Sequence, residues 1–174
     1  MRTRITKPEQ VKRELKLSPE AKPYPKNADK WWSRQWEGEP ANPAEAEKMR
    51  KMFALREKLL SFGGIEACLP LVEEDYDAIM ERGEFFYGSS YMRKGRPSRC
   101  HENAALLWDA NRNNTKIATG YALSEDGLWR QHSWVVQELE SGRLRVWETT
   151  VRRVAYFGFV MTEEECDKFL YWNT

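Results

Sequence analysis

Apolar and polar positions follow two different periods along this chain. Between residues 43 and 61 the apolar residues Ala46, Met49, Met52, Phe53, Leu59 and Leu60 recur at helical spacing. Asn42 is placed to cap such a helix, Pro43 suits its first position, and Glu45 can complete a capping box. Gly63–Gly64 then ends it. A second, shorter helix is expected over Glu73–Arg82, closed by Gly83, and Phe85–Phe86–Tyr87 reads as a short strand. A loop over Gly88–Arg99 follows, and helical spacing resumes at Cys100, with Ala104, Leu107 and Trp108 on the face of Cys100. Beyond this the period drops to two. Strands are expected over Lys116–Ser124, Leu128–Gln137, Arg143–Thr150 and Val154–Val160, with turns at Glu125–Asp126–Gly127 and Glu140–Ser141–Gly142. Thr162 and Glu165 form a capping box for a last helix reaching about Trp172. Helices first and an antiparallel β-meander afterwards predict an α+β fold.

Residues 1–42 break this pattern. They contain Pro8, Pro19, Pro23, Pro25 and Pro40, few aliphatics, and more Lys and Arg than Asp and Glu. We read them as a basic arm, and 43–174 as a single α+β domain. Trp31, Trp32 and Trp36 lie in this arm. They either pin it to the domain or offer a stacking surface.

Composition narrows the function classes. The 174 residues carry a formal net charge of +1 and 32% charged side chains, which gives no reason to expect bulk nucleic-acid binding. No stretch approaches the ~18 consecutive apolar residues of a membrane span. The three cysteines, Cys68, Cys100 and Cys166, are odd in number and widely spaced, which fits a reducing compartment rather than a disulfide framework. With no secretory signal in the first residues, a cytoplasmic location is expected.

Three residues carry the chemistry. Cys100 is expected at a helix N-terminus, where unpaired N–H groups and the helix dipole favour a thiolate. Arg93, Lys94, Arg96 and Arg99 precede it. An isolated cysteine is by default a packing residue, so its company decides. His132 lies mid-strand, with Trp134 and Val136 on its face, and can act as a base. A three-residue loop at 140–142 pairs Leu139 with Arg143 and sets Trp134 opposite Glu148. Glu148 then becomes the diagonal neighbour of His132 and can orient its ring. His101 adjoins Cys100, and neighbours on a helix do not face each other, so it is not expected to serve Cys100. Cys100, His101, His132 and Glu148 also have the donor types that zinc accepts, but no C-x-x-C, H-x-x-x-H or H-E-x-x-H spacing occurs. No metal and no cofactor are expected.

A cysteine at a helix N-terminus, then a histidine on a strand, then an acid on the next strand resembles the papain-like cysteine peptidase superfamily. The likeness covers roughly 85–160 and is nearest to compact forms, such as bacterial cell-wall cysteine endopeptidases and transglutaminase-like proteins. It implies helices packed on an antiparallel sheet, Cys100 as nucleophile, His132 as base, Glu148 as orienting acid, and a peptide or protein amide as substrate. Papain-like enzymes often place a Gln upstream of the cysteine for the oxyanion, and none occurs between Gln35 and Cys100. Tyr87, Tyr91, Ser98 and Gln131 are the candidates for that role, with Trp134 beside the base. The expectation is a thiol-dependent hydrolase or acyl transferase. The rival is a non-catalytic binding protein of the same fold, engaging nucleic acid or a protein partner through residues 1–36.

Overall fold

The structure is a computed structural model that describes residues 40–174. All but the last three residues of the arm, its three tryptophans and the proposed nucleic-acid contact through 1–36 therefore lie outside the described residues. Helix α1 spans Pro43–Ser61 and α2 spans Tyr76–Arg82, with β1 (Glu66–Cys68) between them. Strands β2 (Glu84–Tyr87) and β3 (Tyr91–Met92) lead into α3 (Cys100–Asp109). Then come β4 (Thr115–Leu123), β5 (Leu128–Glu138), β6 (Leu144–Glu148), β7 (Ala155–Val160) and α4 (Glu163–Asn173). No helix among the described residues is long and apolar enough to cross a membrane.

The helix ends follow their capping chemistry. Asn42 accepts the N–H of Glu45 at 2.9 Å, while the Glu45 carboxylate takes the N–H of Ala41 at 2.6 Å. The reciprocal bond of the expected box is thus displaced by one residue. At α4 both bonds of the Thr162–Glu165 box form. The apolar stripe of α1 is shifted from the expected one: Met52, Leu55 and Leu59 are buried, whereas Phe53 faces outward. Helix α2 begins three residues later than expected. Glu73 instead turns its carboxylate inward to the Tyr121 hydroxyl and accepts the N–H of Asp75.

The protein is mixed α+β, but its sheet is not a sequential meander. The strand order is β2-β7-β4-β5-β6-β3, with β1 added to β5. Only β4-β5-β6 follow chain order; β7 crosses back to insert between β2 and β4. Two of the pairings, β1 with β5 and β3 with β6, are parallel. These are strands of three and two residues, too short to carry a readable period.

Two apolar clusters lie on the two faces of this sheet. On one face, Ile117, Tyr121, Trp129, Val135 and Phe157 pack beneath all four helices, through Leu55, Ile79, Trp108 and Cys166 among others. On the other, Phe86, Ala118, Ala122, Trp134, Val136, Val146 and Tyr156 form a smaller cluster made, among the described residues, from strands alone. His132 and Glu148 belong to this second face by strand parity.

Two pairings position the site. On its edge away from β4, β5 pairs with β1 over 128–130 and with β6 over 135–138. Residues 131–134 lie between these partners, so the sheet is open on one side of His132. Across β4 and β7, His132 is opposite Gly120, and Gly120 is opposite Gly158. That row gives the imidazole no neighbouring side chain to compete for its space. The two glycines also let the β4 and β7 backbones approach closely. A Cβ on Gly158 would stand 2.1 Å from the Thr119 carbonyl oxygen, and Gly120 adopts φ +150°. Gly158→Ala is therefore expected to destabilise the fold by about 3 kcal/mol, because backbone cannot yield cheaply. Urea denaturation reads this directly, and an unchanged midpoint would contradict the β4–β7 register.

Candidate active site

The hairpin register is the one expected. Val136 pairs with Val146, and the N–H of Leu139 bonds the Arg143 carbonyl at 2.9 Å. The frame sets Trp134 opposite Glu148 and brings His132 to it diagonally. His132 Nε2 lies 3.0 Å from Glu148 Oε2 and 3.2 Å from Oε1. Both side chains are buried, Glu148 completely.

A buried carboxylate is costly unless it is fully hydrogen-bonded. Glu148 Oε1 accepts the N–H groups of Thr149 and Thr150, each at 2.8 Å, and the Thr150 hydroxyl at 3.0 Å. Oε2 accepts the Tyr156 hydroxyl at 2.8 Å. Burial pushes the Glu148 carboxyl upward, but its hydrogen bond with His132, the positive charge there and these further donors bring it down to about 2. Glu148 is thus a fixed anion against the imidazole.

With Nε2 engaged by Glu148, Nδ1 is the ring nitrogen that remains for the thiol. Cys100 is half-buried at the first position of α3, where the imidazoles of His101 and His132 both act on its thiol. Burial would raise its pKa; the hydrogen-bonding and electrostatic action of the two imidazoles outweighs burial and lowers it to about 5. His132 shifts the opposite way. Burial disfavours its cation, but hydrogen bonds to Cys100 and Glu148 and their negative charge raise its pKa above the usual value. Both shifts favour the charged forms, thiolate and imidazolium, over the neutral pair. Cys68 and Cys166 are pushed up, chiefly by burial, so the three thiols differ in kind.

The helix start supplies a further element. Arg99 gives α3 no side-chain cap, and its first intrahelical bond runs from the Asn103 N–H to the Arg99 carbonyl at 2.8 Å. The N–H groups of Cys100, His101 and Glu102 fall outside the helical ladder. They create positive potential beside the sulfur. The loop before the helix joins it to the strand of Glu148. Arg93 and Gly95 donate their N–H groups to the carbonyls of Glu148 and Thr149, both at 2.8 Å. Asn103, inside α3, then grips Arg96 through both its backbone groups, at 2.9 and 2.7 Å. A Cβ on Gly95 would stand 2.4 Å from Asn103 Oδ1, so this crossing needs glycine. Arg96 and Arg99 pair with Glu102.

The candidates for binding the oxyanion or substrate are dispersed. Tyr87 is buried in the helix-side core. Tyr91 is exposed and packs edge-on to Trp147, with Arg93 over its ring. Ser98 takes a left-handed backbone, φ 58°, two residues before Cys100. Gln131 reaches Glu73 at 3.3 Å. Trp134 is fully buried with its ring nearly parallel to His132, centroids 6.4 Å apart. None of these five is brought to Cys100 by a hydrogen bond, whereas the backbone N–H groups at the start of α3 lie beside it. Among the described residues no cluster of His, Cys, Asp and Glu is arranged to hold a metal ion.

His101 departs from expectation. Adjacent residues on a helix diverge by about 100°, yet the His101 imidazole acts on the Cys100 thiol. The reason lies outside the helix: His101 Nδ1 is held 2.7 Å from Ser133 Oγ, and Ser133 is next to His132 on β5. The strand draws both histidines to the same end of α3. Comparisons with protein-family models, with curated proteins and with solved structures return no match.

The Glu148 shift has a measurable consequence. A folded pKa below the unfolded one stabilises the folded chain above the unfolded value, near 4.5, and ceases to do so as pH falls toward 2. Glu148→Gln should cost roughly 3 kcal/mol at pH 7, the gap from wild type closing over that window. Urea melts at several pH values check it; a gap that does not change with pH would contradict a buried carboxylate.

Proposed function

We propose that this protein is a thiol-dependent hydrolase or acyl transferase of papain-like type, acting on an amide bond through Cys100, His132 and Glu148. The observation that carries the reading is the buried Glu148 carboxylate bonded to one nitrogen of His132, a ring that also acts on the Cys100 thiol. A buried ionic chain of this kind is costly to maintain for packing alone, and it meets the requirements of an activated nucleophile.

The steps follow from the charges. The Cys100 thiolate attacks the carbonyl carbon of a peptide or side-chain amide, forming a C–S bond, and the carbonyl electrons move to oxygen. The Cys100 N–H and the positive end of α3 stabilise that oxyanion. His132 then gives a proton to the leaving nitrogen as the C–N bond breaks, leaving a thioester on Cys100 and a neutral imidazole. A water or an amine attacks the thioester, His132 takes its proton, and the sulfur departs as thiolate. Glu148 keeps the same ring orientation through both halves and offsets the imidazolium charge.

Iodoacetamide labelling across pH, followed by peptide mass spectrometry, tests the nucleophile. Cys100 should label rapidly at pH 6 and Cys68 and Cys166 slowly, with Cys100 slowed in His132→Ala. Incubation with a peptide-amide mixture should give hydrolysed or amine-exchanged products that disappear in Cys100→Ala. Equal slow labelling of all three thiols, with no Cys100-dependent product, would sink the enzyme reading in favour of a binding protein.

A further inference from the structure

The second histidine is not used by the mechanism above, yet it is built in as firmly as the first. His101 Nδ1 is 2.7 Å from Ser133 Oγ, and Ser133 Oγ is 2.9 Å from Thr119 Oγ1. Ser133 and Thr119 face each other across β5 and β4, and both are buried. The ring also packs against Phe169 of α4, centroids 5.9 Å apart. A chain in which the Thr119 hydroxyl donates to Ser133, and the Ser133 hydroxyl donates to His101 Nδ1, uses each group once. With the bonds run in that direction the imidazole hydrogen sits on Nε2, and neither hydroxyl hydrogen is left unpaired. Nδ1 being occupied, Nε2 is the atom left to face Cys100, on whose thiol this imidazole acts.

We propose that His101 is a positioning residue for Cys100: its Nε2–H, oriented by the Thr119–Ser133 hydroxyl chain, holds the sulfur as thiolate alongside His132. This rests on the cysteine-hydrolase reading and adds a division of labour to it. His132 moves protons, whereas His101 donates a hydrogen bond to the sulfur and keeps its own proton throughout. The gain falls in the second half-reaction. When the C–S bond of the thioester breaks, its electron pair goes to sulfur, and the His101 N–H is already in place to receive that charge. His132 is then free to take the proton of the attacking water or amine.

The charged groups around this ring are few. Cys100 and Glu102 lie on its own helix, with Glu102 paired to Arg96 and Arg99. His132 lies on β5, and Asp75, before α2, interacts with His101 electrostatically. The Asp75 carboxyl is raised, first by burial and then by Glu74 and Glu165, with His101 and Arg82 opposing.

The test is a titration of the Cys100 thiolate in the full chain, from its ultraviolet absorbance minus that of Cys100→Ala, and from iodoacetamide rates at pH 6. His101→Leu and Ser133→Ala should both raise the Cys100 pKa; a rise of two units from about 5 would slow labelling at pH 6 roughly tenfold. His101→Gln, whose amide can donate from the Nε2 position, should recover part of the loss. Circular dichroism establishes that each variant is folded, and if His101→Leu is not, Ser133→Ala and His101→Gln decide the matter. An unshifted Cys100 pKa in the folded variants would overturn the role of His101 and leave the hydrolase reading standing. An ordinary thiol pKa in the wild type would remove the hydrolase reading itself.

Discussion

The hydrogen bond between His132 and the buried Glu148 carboxylate is the constraint that the rest of the site obeys. A carboxylate out of water must find donors, and Glu148 finds them in the backbone just beyond β6, in the Thr150 and Tyr156 hydroxyls and in the imidazole. The anion then fixes the ring: Nε2 faces Glu148 and Nδ1 is left toward Cys100. Each charge in the chain is tolerable only because the next one is there. Without Glu148, the imidazolium would be left with the Cys100 thiolate to offset its charge beside Trp134 and Tyr156.

The fold serves this chain through two local departures from a regular sheet. The first is the gap in β5 pairing over 131–134, between the partners β1 and β6. Through it a helix packed on one face of the sheet brings its first residue to a histidine on the other. The second is the glycine row Gly120–Gly158 opposite His132, which removes competing side chains. The 93–99 loop completes the frame by bonding to the carbonyls of Glu148 and Thr149 at one end and to Asn103 of α3 at the other. Acid and nucleophile are therefore tied by backbone as well as through the imidazole.

Much of this could be read from the sequence, for identifiable reasons. Asn42-Pro43 and the Thr162–Glu165 box gave the helix starts because capping is local chemistry. The 140–142 loop set the β5–β6 register, and with it the His132–Glu148 diagonal, because strand parity leaves no freedom once the turn is known. What escaped depended on tertiary contacts. The strands β1 and β3 exist only because β5 and β6 have edges to offer them. The crossing of β7 to the far side of β4 is a long connection with no local signal. Helix α2 lost its first turn because Glu73 is drawn to Tyr121 on β4. His101 was set aside on helical geometry that is correct within a helix, but Ser133 on another element redirects its ring. A hydroxyl 32 residues further along the chain is not a signal that spacing within one segment can reveal. Thr149 and Thr150, directly after Glu148, were the one hint that the carboxylate would be ligated locally.

The central claim is that Cys100 and His132 rest as an ion pair stabilised by Glu148. The chain has only two histidines, so nitrogen-15 NMR of the labelled imidazoles can observe His132 directly. At pH 7 both ring nitrogens of His132 are expected to carry protons; in Cys100→Ala one nitrogen should be bare at that pH, and in Glu148→Gln the second proton should be lost at a lower pH than in wild type. A wild-type His132 that is neutral at pH 7, with one nitrogen bare, would contradict it.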